Sequence, residues 1–71
     1  MSDRFRLDEA QEGQLYEIVA INDEKVSHAT GAYQGMSVVV LKKALQSIVQ
    51  FGYSQIEIER DMLRQIVVQT I

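Results

Sequence analysis

Residues 55–71 read QIEIERDMLRQIVVQTI, and this stretch decides the fold because its apolar spacing changes twice. Over residues 55–59 apolar and polar side chains alternate, which is the period of a half-buried strand. Met62 and Ile66 then share one face at helical spacing, with charged residues on the opposite face. Residues 66–71 return to strand character. The stretch therefore predicts a strand, a helical turn and a terminal strand in direct succession.

Working outward, strand-like segments occur at residues 14–21, 36–42 and 46–51. A terminal strand as apolar as 66–71 needs a partner, and pairing with 14–21 would close a barrel and remove both exposed edges. Five short strands in 71 residues predict an all-β fold, a small SH3-like barrel with one or two short helical turns. An OB-fold is the rival, although it usually needs a longer chain.

Two connections are predicted between these strands. Asn22 and Asp23 are suitable N-cap residues for a helical turn over residues 24–30, which Gly31 would end. The alternative is an irregular loop, because this segment contains mediocre helix formers. Residues 42–45 are expected to form a hairpin connection, although no strong turn dipeptide defines its geometry.

Length and composition limit the class of protein. Seventy-one residues predict one domain over 1–71, with residues 1–6 as a loose N-terminal tail. The net charge is −3, and Lys42-Lys43 is the only adjacent basic pair, which argues against nucleic acid as a partner. Residues 1–6 are charged and lack the apolar stretch of a signal peptide, and no apolar run approaches the ~20 residues that span a bilayer. We therefore expect a cytoplasmic protein that does not itself cross a membrane.

Three sets of apolar and glycine anchors occur in a fixed order along residues 7–71. They are Leu7-x2-Ala10-x2-Gly13, Gly31-x3-Gly35 and Ile56-x-Ile58-x3-Met62-x3-Ile66-x-Val68. Their order and spacing resemble the FeoA family, small cytoplasmic proteins of bacterial ferrous iron uptake. Family members often carry Arg-Leu shortly before the first glycine of the pair and proline just before the second. This chain has His28-Ala29 and Gln34 instead, so the surface of that loop is expected to differ.

The resemblance implies an SH3-like barrel that assists a membrane ferrous iron transporter with a GTPase domain by contacting it. It does not imply an enzyme. A related domain at the end of iron-dependent repressors leaves an alternative open, a small transition-metal-binding or iron-sensing regulatory module. The oligomeric state stays open.

The residue types themselves also argue against catalysis and against a tightly bound cofactor. The chain has one histidine and no cysteine, and it lacks a Gly-x-Ser-x-Gly turn. It has no Gly-x4-Gly-Lys phosphate loop either, so GTP would have to be bound by the partner. Weak binding of Fe²⁺ or another divalent metal is the remaining cofactor hypothesis.

Two groups of residues are candidate metal ligands. Glu24 and His28 lie four apart and would share a helical face, but two ligands are fewer than a transition-metal site usually needs. A solvent-facing helix pair is the simpler interpretation. The carboxylates Asp8, Glu9 and Glu12 could attract Fe²⁺, but a solvated acidic surface is the simpler reading of such a run.

The candidate partner-binding residues are two apolar and four basic side chains in or beside predicted turns. They are Tyr33, Leu45, Lys42, Lys43, Arg60 and Arg64. Loops around 42–45 and 31–35 are expected to receive the partner, because exposed apolar residues on a rigid barrel commonly form binding grooves. The alternatives are that the apolar side chains close the barrel ends and that the arginines only balance nearby acids.

Two further tyrosines are open to the same pair of interpretations. Tyr53 lies in a predicted turn, as Tyr33 does, and is a candidate for the same binding role. For Tyr16, which lies within a strand, covering the end of the barrel is the preferred interpretation.

Overall fold

The computed structural model describes residues 3–71 as one antiparallel sheet with two short helices. The strands are β1 (Arg4–Arg6), β2 (Leu15–Ile21), β3 (Ser37–Lys42), β4 (Gln46–Phe51), β5 (Ser54–Glu59) and β6 (Ile66–Thr70). The helices are α1 (Glu24–Thr30) and α2 (Arg60–Leu63), and a 3-10 turn covers Leu7–Glu9. All five predicted strands are present, and the predicted all-β, SH3-like class is confirmed.

The strand order is β1-β6-β2-β3-β4-β5, so the terminal strand lies inside the sheet. The predicted pairing of the last strand with the first long one is confirmed, with Ile18 opposite Val68 and Ile21 opposite Ile66. The prediction that this pairing removes both sheet edges is wrong. Among residues 3–71, β1 and β5 keep one unpaired side each, because neither β1 nor β6 pairs with β5.

Residues 4–6 correct the prediction of a loose tail over 1–6. They form β1, in which Phe5 lies opposite Val68 of β6. The Phe5 ring also meets the Tyr16 ring edge to face, with centroids 5.3 Å apart. Without β1, the outer side of β6 would have unpaired backbone donors and acceptors. The three residues of β1 pair with that side, although only one of them is apolar. The rest of that segment lies outside the described residues, except for Asp3, which precedes β1.

The sheet encloses one apolar core built from the inward residues of β2 to β6. Two register shifts, around Val19 in β2 and Leu41 in β3, bend the strands in the way that bulges do, which helps a short sheet to curl. The ends of the core are covered by Leu7, Val26 and Leu63, all of them buried. Tyr16 is buried as well, as the end-covering interpretation predicted.

Both predicted helical turns are present. In α1, the Asp23 carboxylate accepts a hydrogen bond from the Lys25 backbone N–H at 2.9 Å, which is the predicted N-cap. The helix ends at Gly31, whose φ of 72° lies in the left-handed region that glycine adopts most easily. The α2 turn buries Leu63 and leads into β6, as the change of period in the C-terminal stretch indicated.

Candidate functional site

The connection between β3 and β4 forms one end of the molecule. Leu45 projects from it with 85% of its surface exposed. The turn is held from inside by Ser47, whose buried hydroxyl donates to the Ala44 carbonyl at 2.9 Å. The same hydroxyl accepts from the Ala44 backbone N–H at 3.3 Å. An exposed leucine therefore sits on a turn that is well anchored.

Helix α2 follows β5 in the chain and is hydrogen-bonded to this turn. The Arg60 backbone N–H donates to the Leu45 carbonyl at 3.1 Å. Leu45, Arg60 and Arg64 line one surface depression, together with Gln46, Glu59 and Asp61. Three of the six predicted partner-binding residues therefore line this depression, and Lys42 and Lys43 precede Leu45 in the connection from β3. We call Lys42, Lys43, Leu45, Arg60 and Arg64 the hairpin end.

The N-terminal acidic residues support the hairpin end from beside it. The Glu12 carboxylate accepts a hydrogen bond from the Lys43 backbone N–H at 2.7 Å, and the Gly13 N–H donates to the Val40 carbonyl at 2.8 Å. Glu12 is thus a structural acceptor, and it is also exposed, as the reading of these acids as a solvated surface predicted. Sequence reasoning missed this role because the two partners are 31 positions apart.

Asp8, unlike the exposed Glu12, is largely withdrawn from solvent, with 10% of its side chain exposed. Its carboxylate oxygens lie 3.2 Å from Arg6 Nε and 3.8 Å from Arg64 Nε. The Arg6 N–H is directed at Glu9 instead, at 3.2 Å, so Asp8 gains ion-pair proximity without a well-directed hydrogen bond. Arg64 therefore pairs with Asp8 on the N-terminal segment, whereas the sequence suggested the nearby acids Glu57, Glu59 and Asp61 as its balance.

Tyr33 lies elsewhere. It borders a second depression with Met36 and Tyr53, over the buried ring of Phe51. Tyr33 is 61% exposed and Tyr53 is fully exposed. We call Tyr33, Met36 and Tyr53 the aromatic end.

The two ends are separated by the length of β3. Six strand residues span roughly 20 Å at about 3.3 Å per residue. A partner segment that contacts both loops at once therefore has to span roughly 20 Å, the length of about six extended residues. Each end has to be tested as a separate surface.

The predicted metal ligands Glu24 and His28 lie on α1, and both are solvent-exposed. With the helix confirmed, they share a face at a spacing of four residues. Within residues 3–71 there is no group of three or more acidic or histidine side chains that could hold a metal ion. The pair therefore remains a two-ligand arrangement.

The two buried polar residues of the described chain, Ser47 and Thr30, have local backbone partners. Besides Ser47, the only buried polar residue among residues 3–71 is Thr30. Its hydroxyl donates to the Val26 carbonyl at 2.7 Å and accepts from the Ala32 N–H at 3.1 Å.

A curled antiparallel sheet with short helical turns over its core is the class of the SH3-like barrels. The FeoA domain model matches residues 5–70, and the chain belongs to the FeoA domain family. A crystal structure of an iron uptake regulatory protein (FeoA) superposes with a TM-score of 0.82 at 19% sequence identity. That match covers 97% of this chain and 99% of the other, so the two share one fold along nearly their whole length.

The same fold occurs as one part of two longer regulators. A manganese-dependent transcriptional repressor matches with a TM-score of 0.84 at 13% identity, over 100% of this chain and 44% of that protein. The manganese regulator SloR matches with a TM-score of 0.78 at 14% identity, over 94% of this chain and 34% of that protein. A search of the curated proteins finds no match. No helix within residues 3–71 has the length and apolar character needed to cross a membrane.

Proposed function

We propose that this chain is an accessory protein of ferrous iron uptake, which binds the cytoplasmic part of a membrane iron transporter with a GTPase domain. The observation that carries the proposal is the FeoA domain match over residues 5–70. The shared fold with an iron uptake regulatory protein (FeoA) supports it. In this role the chain works in the cytoplasm and reaches the membrane only through its partner.

The surface of the molecule is suited to protein recognition. Leu45, Tyr33 and Tyr53 are exposed in loops, while the strands that hold those loops pack a side-chain-filled core. Rigid scaffolds that present exposed apolar residues in loops are a common form of binding site. Binding alters transport only if the chain prefers one state of the transporter over another. Under this proposal GTP hydrolysis belongs to the partner and not to this chain.

The direct test is capture of the chain by the purified transporter from the same cell. We expect retention of the wild-type chain and a loss of about tenfold or more in affinity for Leu45→Asp, because a charge then replaces an exposed apolar contact. Leu15→Asp is the matched control, since Leu15 is 44% exposed on β2 and lies outside both ends. Absence of wild-type retention by a transporter that hydrolyses GTP would overturn the proposal.

Direct metal binding is the competing function. The fold shared with a manganese-dependent transcriptional repressor favours it, whereas the two-ligand arrangement on α1 argues against it. Anaerobic titration with Fe²⁺, followed by NMR of the labelled chain, separates the two functions. We expect no selective broadening at stoichiometric Fe²⁺. Selective broadening around His28 that His28→Ala removes would make the chain a metal-binding module instead.

A further inference from the structure

We infer that the free edge of β5 binds an extended protein segment in which basic residues alternate with apolar ones. The inference rests on the proposed function in taking another protein as the partner. It goes further by naming the surface, the backbone geometry and the side-chain pattern of the segment that binds there.

The first argument is the row of unpaired backbone groups along β5. One side of β5 pairs with β4, and among residues 3–71 no strand pairs with the other side. The Arg60 N–H donates to the Leu45 carbonyl, which places the backbone groups of the even-numbered residues of β5 on the β4 side. The N–H groups of Gln55, Glu57 and Glu59 therefore point away from the sheet. Groups of this kind are a template for an added strand.

The second argument is the groove beside that edge. Ile56, Ile58 and Met62 line it, together with Ala29 and Thr30 at the end of α1. Ile56 and Met62 pack on the core but are only half-buried. Successive side chains of an added strand point to opposite faces of the sheet, so every second one would enter this groove. The segment therefore needs apolar residues at alternate positions.

The third argument is the charge on the other face of β5. Glu57 and Glu59 are exposed there, and within residues 3–71 neither makes an ion pair shorter than 4 Å. Their neighbours across β4 are Ile48 and Gln46, which are uncharged. The residues of the segment that face away from the groove would lie beside these glutamates. Opposite charges on neighbouring strands stabilise pairing, so these positions favour lysine or arginine.

Basic side chains of the chain itself leave this charge uncancelled. Within residues 3–71 no lysine or arginine lines the groove. Arg60 follows Glu59 directly, but it lines the depression beside Leu45, and the acidic Asp61 follows it. The edge is therefore acidic in sum, and the chain as a whole has a net charge of −3. Both charges attract a basic segment.

A second copy of the chain fits this edge less well than a different protein does. Antiparallel pairing of β5 with itself, centred on Glu57 or Ile58, sets one glutamate against another, which is destabilising. The basic strand β1 is the other candidate, but its Arg6 is already paired with Asp8 and Glu9. Cytoplasmic segments beside membrane spans carry an excess of lysine and arginine, so a membrane protein offers segments of the required charge.

The test uses the full chain, labelled with ¹⁵N, and a short synthetic peptide in which lysine and valine alternate. We expect amide shifts at residues 55–59, 29–30 and 62, and slower hydrogen exchange at the N–H groups of Gln55, Glu57 and Glu59. Exchange at Ile56 and Ile58 should change less, because these groups are already bonded to β4. Slower exchange at alternate residues is a result that charge attraction alone does not produce.

Control peptides separate the pattern from the charge. A peptide with glutamate in place of lysine should not bind, and one of the same composition with lysines and valines in two blocks should bind more weakly. Shifts that are absent, that centre away from β5, or that come without slower exchange at Gln55, Glu57 and Glu59 would overturn the inference. Equal binding of either control peptide would do the same.

Self-association is checked by sedimentation of the chain without peptide. We expect no concentration-dependent association through β5. Association that Glu57→Lys alters and that slows exchange at the same three amides would make a second copy the occupant, and the inferred partner segment would be wrong.

A charge reversal tests the role of the glutamates. Glu57→Lys should weaken peptide binding about fivefold, the order expected when an attractive cross-strand pair becomes a repulsive one. Asp3→Lys is the control with the same charge change, since Asp3 is exposed and precedes β1 at the opposite edge of the sheet. It should leave binding nearly unchanged. An equal loss in that control would reduce the effect to net charge and would sink the inference.

A second pair of variants tests the backbone contact. Glu57→Pro removes an N–H that points away from β4, so the β4–β5 ladder is kept, whereas Glu57→Gln removes only the charge. We expect Glu57→Pro to abolish peptide binding and Glu57→Gln to retain much of it. Equal behaviour of the two variants would contradict strand addition. Urea denaturation checks that Glu57→Pro keeps the fold, and the exchange pattern of the wild type tests the same contact without a substitution.

Failure of the inference and failure of the proposed function are distinguishable. If the transporter captures the wild type and the Glu57→Lys variant equally, the function stands and the inference is wrong. If the peptide adds to β5 but the transporter does not capture the chain, the surface stands and its proposed partner is wrong.

Discussion

The hairpin end and the aromatic end both expose apolar side chains and are both tied to neighbouring segments by backbone hydrogen bonds, but they differ in charge. The hairpin end combines Leu45 with four basic residues and is joined by hydrogen bonds to the N-terminal segment and to α2. The aromatic end presents Tyr33, Met36 and Tyr53 without a charged residue lining its depression. The comparison teaches that exposure alone does not define a binding surface. Charge determines which partners approach it, and rigidity determines how much entropy the contact costs.

The largest expected effect comes from a core substitution that should alter amide exchange at the two ends unequally. Leu7→Ala should lower the free energy of unfolding by about 2–5 kcal/mol, because Leu7 is fully buried and its removal leaves a cavity. Leu7 begins the segment that contains Glu12, so amide exchange should accelerate more at the hairpin end than at the aromatic end. Urea denaturation and hydrogen exchange measure the two quantities.

Leu41→Ala is the control for that experiment, since Leu41 is 41% exposed. It should cost less than about 1 kcal/mol, as surface substitutions usually do. Equal acceleration at both ends in Leu7→Ala would show that the N-terminal segment does not support the hairpin end selectively.

An intermediate effect compares the two buried hydroxyls, one in the turn before β4 and one at the end of α1. Ser47→Ala removes both hydrogen bonds to Ala44, and Thr30→Val removes the bonds to Val26 and Ala32. Each should destabilise the chain by about 1–2 kcal/mol, because a partly buried backbone group loses its partner. Ser47→Ala should loosen residues 43–46 and Thr30→Val should loosen residues 31–34, as measured by hydrogen exchange.

The matched control for both is Ser54→Ala, at an exposed position that starts β5. Its unfolding free energy should change by less than about 0.5 kcal/mol. If either hydroxyl variant loosened the opposite end to the same degree, the two ends would have to be regarded as one cooperative unit.

The smallest expected effect concerns the ion pair that ties Arg64 to the N-terminal segment. Asp8→Asn should change stability by about 0–1 kcal/mol, because both arginines near Asp8 are more than half exposed and the pair lacks a well-directed hydrogen bond. The difference should shrink as salt is raised. Urea denaturation at low and high salt measures it, with Asp61→Asn as the control.

Asp61 suits that purpose because it is exposed and makes no ion pair shorter than 4 Å among residues 3–71. An Asp8→Asn loss well above 1 kcal/mol that salt leaves unchanged would show that the carboxylate has a buried structural role.

The strands and helices were predictable because their signals are local. The alternation over residues 55–59, the Asp23 cap and Gly31 each identify an element within a few positions. The short β1 was missed because Arg4–Arg6 contains only one apolar residue, so its pattern is too brief to distinguish from a tail. These residues are extended because they pair with the otherwise free side of β6, whose residues lie more than 60 positions away in the chain.

The candidate site was predictable as a set of residues but not as a surface. Three of the six predicted partner-binding residues line one depression at the hairpin end because they flank the turns that lead into β4 and out of β5. Tyr33 was grouped with them only because all are exposed in loops, and the sequence contains no signal of which loops share an end. The roles of Glu12 and Asp8 were missed for the same reason, since their partners are distant along the chain.

Residue order was enough to define the class of fold, the kind of each element and nearly all element boundaries, because apolar periodicity, caps and glycine turns act over a few residues. Packing the chain into three dimensions decided which strands form the edges, which loops meet and which acids are withdrawn from solvent. Those outcomes depend on contacts between segments that are far apart in the chain, and such contacts form only when the whole core closes.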